Sequence, residues 1–137
     1  MQAMVSQIIP SLVVASGGAL GAMSRYWVRE FLPSVTASEF PFSTLLVNVV
    51  GCFLSGFVYM WLETSGNHWS TDKLLFFFVG FLGAFTTFSA FALDSFLLYH
   101  QQQFFKLMIN IGGNYILCLM AIFIGAMLGA KLGSFGS

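Results

Sequence analysis

Gly80-Phe81-Leu82-Gly83-Ala84-Phe85-Thr86-Thr87-Phe88-Ser89-Ala90-Phe91-Ala92-Leu93-Asp94 places hydroxyls, glycines and a ladder of phenylalanines where a membrane helix is expected. A lipid-facing anchor has no use for Thr86, Thr87 and Ser89 in its middle, because polar groups at membrane depth need a partner. On a continuous helix Phe81, Phe85, Phe88 and Phe91, at steps of four, three and three, form one slanted aromatic stripe, with Asp94 three residues further on. Gly80 and Gly83 weaken a helix interior, and the Thr86 and Thr87 hydroxyls compete for backbone carbonyls, so the stretch predicts a break near residues 83–87. Carbonyls freed at such a break must be buried, line water or bind a cation, and Na⁺ favours oxygen ligands of this kind. The phenylalanines permit the opposite charge: an aromatic ring has a negative face and a positive edge, and edges turned into a cavity attract an anion. The plainer alternatives are a kinked helix and a stripe that serves packing or lipid contact, in a chain with 17 Phe.

Working outward, 58% of the 137 residues are hydrophobic and 7% charged, against about a quarter charged in a soluble domain. The mean hydropathy is +0.86. Residues 1–24, 40–62, 74–93 and 107–130 lack Asp, Glu, Lys and Arg. Each run reaches the roughly 20 residues that cross a bilayer, so the expected fold is an all-α membrane protein of four transmembrane helices, the third broken, in one domain spanning residues 1–137. The first run has no basic residue before it and leads straight into Arg25 and Arg29, which reads as a retained helix and not a cleaved signal. The connections fall at about 30–41, 63–73 and 100–106.

Five basic side chains set orientation weakly. With four spans, Lys73 and Lys131 share one side, and Arg25, Arg29 and Lys106 the other. That near balance permits insertion both ways, and two opposite copies then pair as an antiparallel dimer. The alternative is one orientation fixed by Arg25 and Arg29. Close-packing surfaces are offered by Gly17 and Gly21, by Cys52 and Gly56, and by Gly125, Gly129 and Gly133.

The second span carries Thr44, Asn48, Gly51, Ser55 and Tyr59 as one polar or small stripe, and the fourth carries Asn110, Asn114 and Cys118 at steps of four. Such stripes either glue helices together or line a polar path; their number, added to Thr86, Thr87 and Ser89, exceeds what packing four helices requires. Arg25 ends the first span, where it anchors or sits at a vestibule mouth. Asp94 reads as a water-facing helix end. Tyr26, Trp27, Trp61, Trp69 and Tyr99 lie where an aromatic belt would. Cys52 and Cys118 read as packing residues, and His68 and His100 lack metal-ligand spacing. No nucleophile, base and orienting acid can be assembled, so the chain is not expected to be an enzyme, and no nucleic-acid partner is expected.

Three stretches are specific: Gly17-Gly18-Ala19-Leu20-Gly21-Ala22-Met23-Ser24-Arg25-Tyr26, Thr44-Leu45-Leu46-Val47-Asn48-Val49-Val50-Gly51-Cys52-Phe53, and Gly80 through Phe91. Together they closely resemble the signature stretches of the Fluc (CrcB) fluoride-channel family, over essentially the whole chain. The resemblance implies a dual-topology antiparallel homodimer in lipid, at the cell inner (plasma) membrane, that exports cytoplasmic fluoride passively. It implies that Phe88 and Phe91 present ring edges to the ion and that Asn48 and Thr44 line the route. Ser89 joins a polar track, Arg25 matches the arginine near the vestibule, and Asn110 and Asn114 match the fourth span more loosely. The Gly83 and Thr86 carbonyls of both subunits are implied to hold a structural Na⁺ at the dimer centre. Two departures stand out: Asp94 where the family usually has Glu, and Cys118 where a small hydroxyl residue is common. A proton-coupled small multidrug exporter also uses four spans, but needs an acidic residue deep in the first, and residues 1–24 have none. A non-transporting membrane subunit is the third reading.

Overall fold

The structure is a computed structural model that describes residues 2–32 and 40–135, with side chains from residue 7 onward. Most of the expected 30–41 connection lies outside the described residues. Helix α1 spans Gln2–Phe31 and α2 spans Phe42–Ser65, ending at Gly66, whose φ of 66° is the left-handed conformation that glycine adopts without strain. The third span is compound. It opens as α3 (Thr71–Leu74), winds as a π-helix over Leu75–Leu82, returns to α4 (Gly83–Phe85), breaks, and resumes as α5 (Phe88–His100). A tight turn through Gln102, φ 59°, leads into α6 (Phe104–Ser134). The four expected spans are therefore four helical runs long and apolar enough to cross a membrane, the third covering Thr71–His100. No strand occurs among the described residues.

The helices pack in two pairs. In the first, α1 lies on the π-helical segment and α4; in the second, α2 lies along α6. Both seams are made by glycines, because no apolar driving force beyond close packing operates between helices in lipid. A methyl at Gly80 would stand 2.6 Å from the Val14 carbonyl, and one at Gly17 or Gly21 would collide with the Phe76 or Phe81 backbone. Across the other seam Gly56 sits against Ile122, Gly125 against Phe53 and Gly129 against Phe57. The small residues expected to offer association surfaces are thus occupied inside one protomer. They position the two pairs so that the break between α4 and α5 faces α2 and α6.

The single aromatic stripe expected along residues 81–91 does not form. Thr86 (φ −80°, ψ 158°) and Thr87 (φ −154°, ψ 112°) are extended, which cancels the helical periodicity between Phe85 and Phe88. Two separate ring pairs result: Phe81 stacked on Phe85 at 5.7 Å, and Phe88 tilted 54° against Phe91 at 5.4 Å. Phe85 is buried, whereas Phe88 is 79% exposed. In the second span α2 is unbroken, so Thr44, Asn48, Gly51, Ser55 and Tyr59 do share one face, buried at Thr44 and Gly51 and exposed at Tyr59.

Candidate functional site

The break is a built feature. Thr86 keeps its own turn closed, its N–H and hydroxyl both donating to the Leu82 carbonyl at 3.0 and 2.9 Å. Gly51 of α2 leaves room for the Thr86 methyl, since any side chain there would collide with it. Thr87 then caps α5: its Oγ1 accepts from the Ala90 N–H at 3.2 Å and lies 3.2 Å from the Ser89 hydroxyl.

Breaking a helix at membrane depth strands backbone groups, and each must find a partner. Asn48 supplies it. Its Oδ1 accepts the Thr87 N–H at 2.8 Å and its Nδ2 donates to the Thr87 carbonyl at 3.3 Å, so one amide replaces both helical partners of one residue. An unbroken α-helix would have sent that N–H to the Gly83 carbonyl. The same Nδ2 also donates to Asn114 Oδ1 at 2.9 Å, tying the break to α6.

From Asn114 the chain of amides continues. Asn114 Nδ2 donates to the Asn110 carbonyl and side-chain oxygens at 3.0 and 3.1 Å, and Asn110, fully buried, donates to Ser95 Oγ at 3.0 Å. The Ser95 hydroxyl donates to the Phe91 carbonyl at 2.8 Å. Thus Asn48, Asn114, Asn110 and Ser95 form one connected line from the break to the backbone of Phe91. A second polar link, Thr44 Oγ1 donating to Asp94 Oδ2 at 2.7 Å, lies one turn before Asn48 on α2.

The structure therefore brings together Thr44, Asn48, Ser89, Phe88, Phe91, Asn110 and Asn114. Arg25 is not among them: it is half-buried on α1, which packs chiefly on the π-helical segment and α4, and among the described residues no hydrogen bond joins it to the amides. Asp94 departs from its sequence reading, being half-buried against Thr44 and not a free helix end. Ser95 went unread, because a serine one residue past the motif carries no spacing signal of its own. Among the described residues no group of three or more His, Cys, Asp or Glu could hold a metal ion.

Apart from Asp94, what the site offers chemically is uncharged. Two phenylalanine rings, one nearly uncovered, stand beside a threonine and a serine hydroxyl, with amide donors behind them and an aspartate one turn beyond Phe91. Donors and ring edges without a lysine or arginine suit a small anion that must pass and not be trapped.

The relatives point the same way. A fluoride-specific ion channel FluC of Dehalococcoides mccartyi is 42% identical over 121 residues, covering 88% of this chain and 92% of its own. The protein of the same name from Legionella pneumophila is 46% identical over 121 residues, 88% and 89%, and that of Campylobacter lari 40% over 117 residues, 85% and 94%. Residues 12–126, which hold the break, the amide line and both glycine seams up to Gly125, match the family model described as CrcB-like protein, Camphor Resistance (CrcB). The chain belongs to the CrcB-like family.

Proposed function

We propose that this chain is a multi-pass membrane channel selective for fluoride, through which the ion leaves the cytoplasm down its gradient. The observation that carries the reading is the exposed Phe88 ring, set against Phe91 beside the Thr87 and Ser89 hydroxyls, in a chain whose relatives are named fluoride-specific ion channels. Fluoride is small and strongly hydrated; hydroxyls, amide N–H groups and ring edges replace that shell without a fixed positive charge that would hold the ion. The test is efflux from liposomes loaded with fluoride or with chloride and containing the purified chain. Rapid fluoride release with chloride retained is the expected result, and equal or absent release of both overturns the proposal.

The working unit in this proposal is an antiparallel homodimer. Its support is the three-to-two division of basic residues across the two sides and the uncovered Phe88. Two or three lysines added to the 63–73 connection are expected to lock one orientation and abolish efflux, with activity restored by coexpression of an oppositely biased copy. A C-terminal reporter on the unaltered chain that reports one side of the membrane only would remove the dual-topology part of the reading.

Na⁺ between the two breaks completes the proposal, held by the Gly83 and Thr86 carbonyls. Its support is that Asn48 takes the Thr87 N–H away from Gly83, and that the donor set is neutral main-chain oxygen. The ion would supply attraction between two copies at a point where each break diverts the Thr87 N–H from the Gly83 carbonyl. Gly83 is exposed, and a methyl there meets only the Phe78 carbonyl at 3.8 Å, so Gly83→Val fits the protomer. Gly83→Val is expected to reduce dimer on size exclusion while Thr86→Ser retains it; a Gly83→Val chain that stays dimeric and conducts contradicts the cation site.

A further inference from the structure

The α2/α6 seam holds a second cluster that the polar site does not use. The two helices run parallel in fixed register: Asn48 bonds Asn114, and two turns on Gly56 sits against Ile122. Cys52 and Cys118 occupy the rung between, each four residues from either pair. Both are free thiols and half-buried, and the register of the two helices sets them on facing positions of the seam. Because the rungs on either side are fixed by an amide–amide hydrogen bond and by close contact of Gly56 with the Ile122 backbone, the two cysteines are held on one rung of the seam.

We propose that Cys52 and Cys118 form a two-sulfur site for a thiophilic divalent metal ion. Thiolates are soft donors and select soft ions. Zinc is excluded by number, since it takes four ligands and no third His, Cys, Asp or Glu joins this pair among the described residues. Charge decides among ions content with two sulfurs. A monovalent ion on two thiolates leaves a net negative charge between two membrane spans, whereas a divalent ion leaves none, and an uncompensated charge at that depth is costly. Hg²⁺, which binds two thiolates in a line, meets both conditions and is the probe. Offered as HgCl₂, it forms two S–Hg bonds as two chlorides leave and each thiol releases its proton to water; no electrons are transferred. The bound ion staples α2 to α6 one turn from Asn48.

The experiment uses the purified, reduced full chain titrated with HgCl₂. One ion per chain is expected, blocking both cysteines against maleimide labelling after denaturation. It survives washing with a monothiol and is removed by a dithiol chelator. Cys52→Ser and Cys118→Ser, nearly isosteric, lose the chelate and are expected to release mercury about 10²–10⁴-fold more readily. Alanine variants serve if either serine variant fails to fold, as judged by its melting without metal. Two ions bound per chain, or mercury lost from the unaltered chain to the monothiol as readily as from Cys118→Ser, overturns the site.

Discussion

Phe88→Ile is expected to leave a chain that folds, purifies as the unaltered protein does, and passes little fluoride. The ring is 79% exposed in the protomer and its recorded aromatic partner is Phe91 at 5.4 Å. Removing it therefore costs the fold no more than the aromatic pair, about 0.5–1.5 kcal/mol. Isoleucine keeps most of the apolar volume but has no electropositive edge, so the loss falls on the ion. Each 1.4 kcal/mol or so by which the barrier rises slows passage about tenfold, and loss of the edge is expected to cost at least that. Phe91→Ile should act likewise, with some added destabilisation because Phe91 is half-buried. The control is Phe77→Ile, whose ring packs on Trp69, Phe78 and Phe81 before the break. There the cost is one of packing, about 1–3 kcal/mol, with efflux nearly unchanged. Fluoride efflux at the unaltered level from both Phe88→Ile and Phe91→Ile would make the pair a packing element and move the pathway to Asn48 and Asn114.

Asn48→Leu is expected to damage stability and flux together, because one amide carries the break. Leucine matches the volume but leaves the Thr87 N–H without its acceptor at membrane depth and takes a donor from Asn114. An unsatisfied buried N–H alone costs about 1–3 kcal/mol, which should show as a lower melting temperature in detergent. Asn48→Asp separates the roles. It retains an oxygen for the Thr87 N–H but turns another oxygen toward the Thr87 carbonyl and Asn114 Oδ1, and adds negative charge beside the proposed anion route. Its melting should fall and its efflux should vanish. An Asn48→Leu chain that melts with the unaltered one would mean that the break is held by something other than this clamp.

Much of this is legible in the sequence. Four charge-free runs predicted four spans, and Gly83 with Thr86 and Thr87 predicted where the third would break. The same break misled the reading of the phenylalanines: a period of 3.6 was extended from Phe81 to Phe91 across two residues that are not helical, so Phe85 and Phe88 were put on one face when one is buried and the other open. The Asn48 clamp was not legible because its partner is a backbone group, and backbone groups look alike at every position. In sequence Asp94 reads as a free helix end, since nothing there links it to Thr44, 50 residues away. The π-helical winding of Leu75–Leu82 left no mark either, its residues being ones that any apolar helix would carry.

The pairing of α2 with α6 sets the order of events during synthesis. The glycine seam on α2 is complete when Ser65 has been made, yet its partner ends at Ser134. At about 5–20 residues per second the ribosome needs on the order of 4–14 s to supply the rest. Meanwhile α1 and the π-helical segment, whose seam closes at Phe81, can already associate. Asn48 spends that interval in the bilayer without Asn114. The Thr87 backbone is available to it before α6 is, so the clamp on the break can form ahead of the seam, and the last helix to leave the ribosome is the one that completes the second pair.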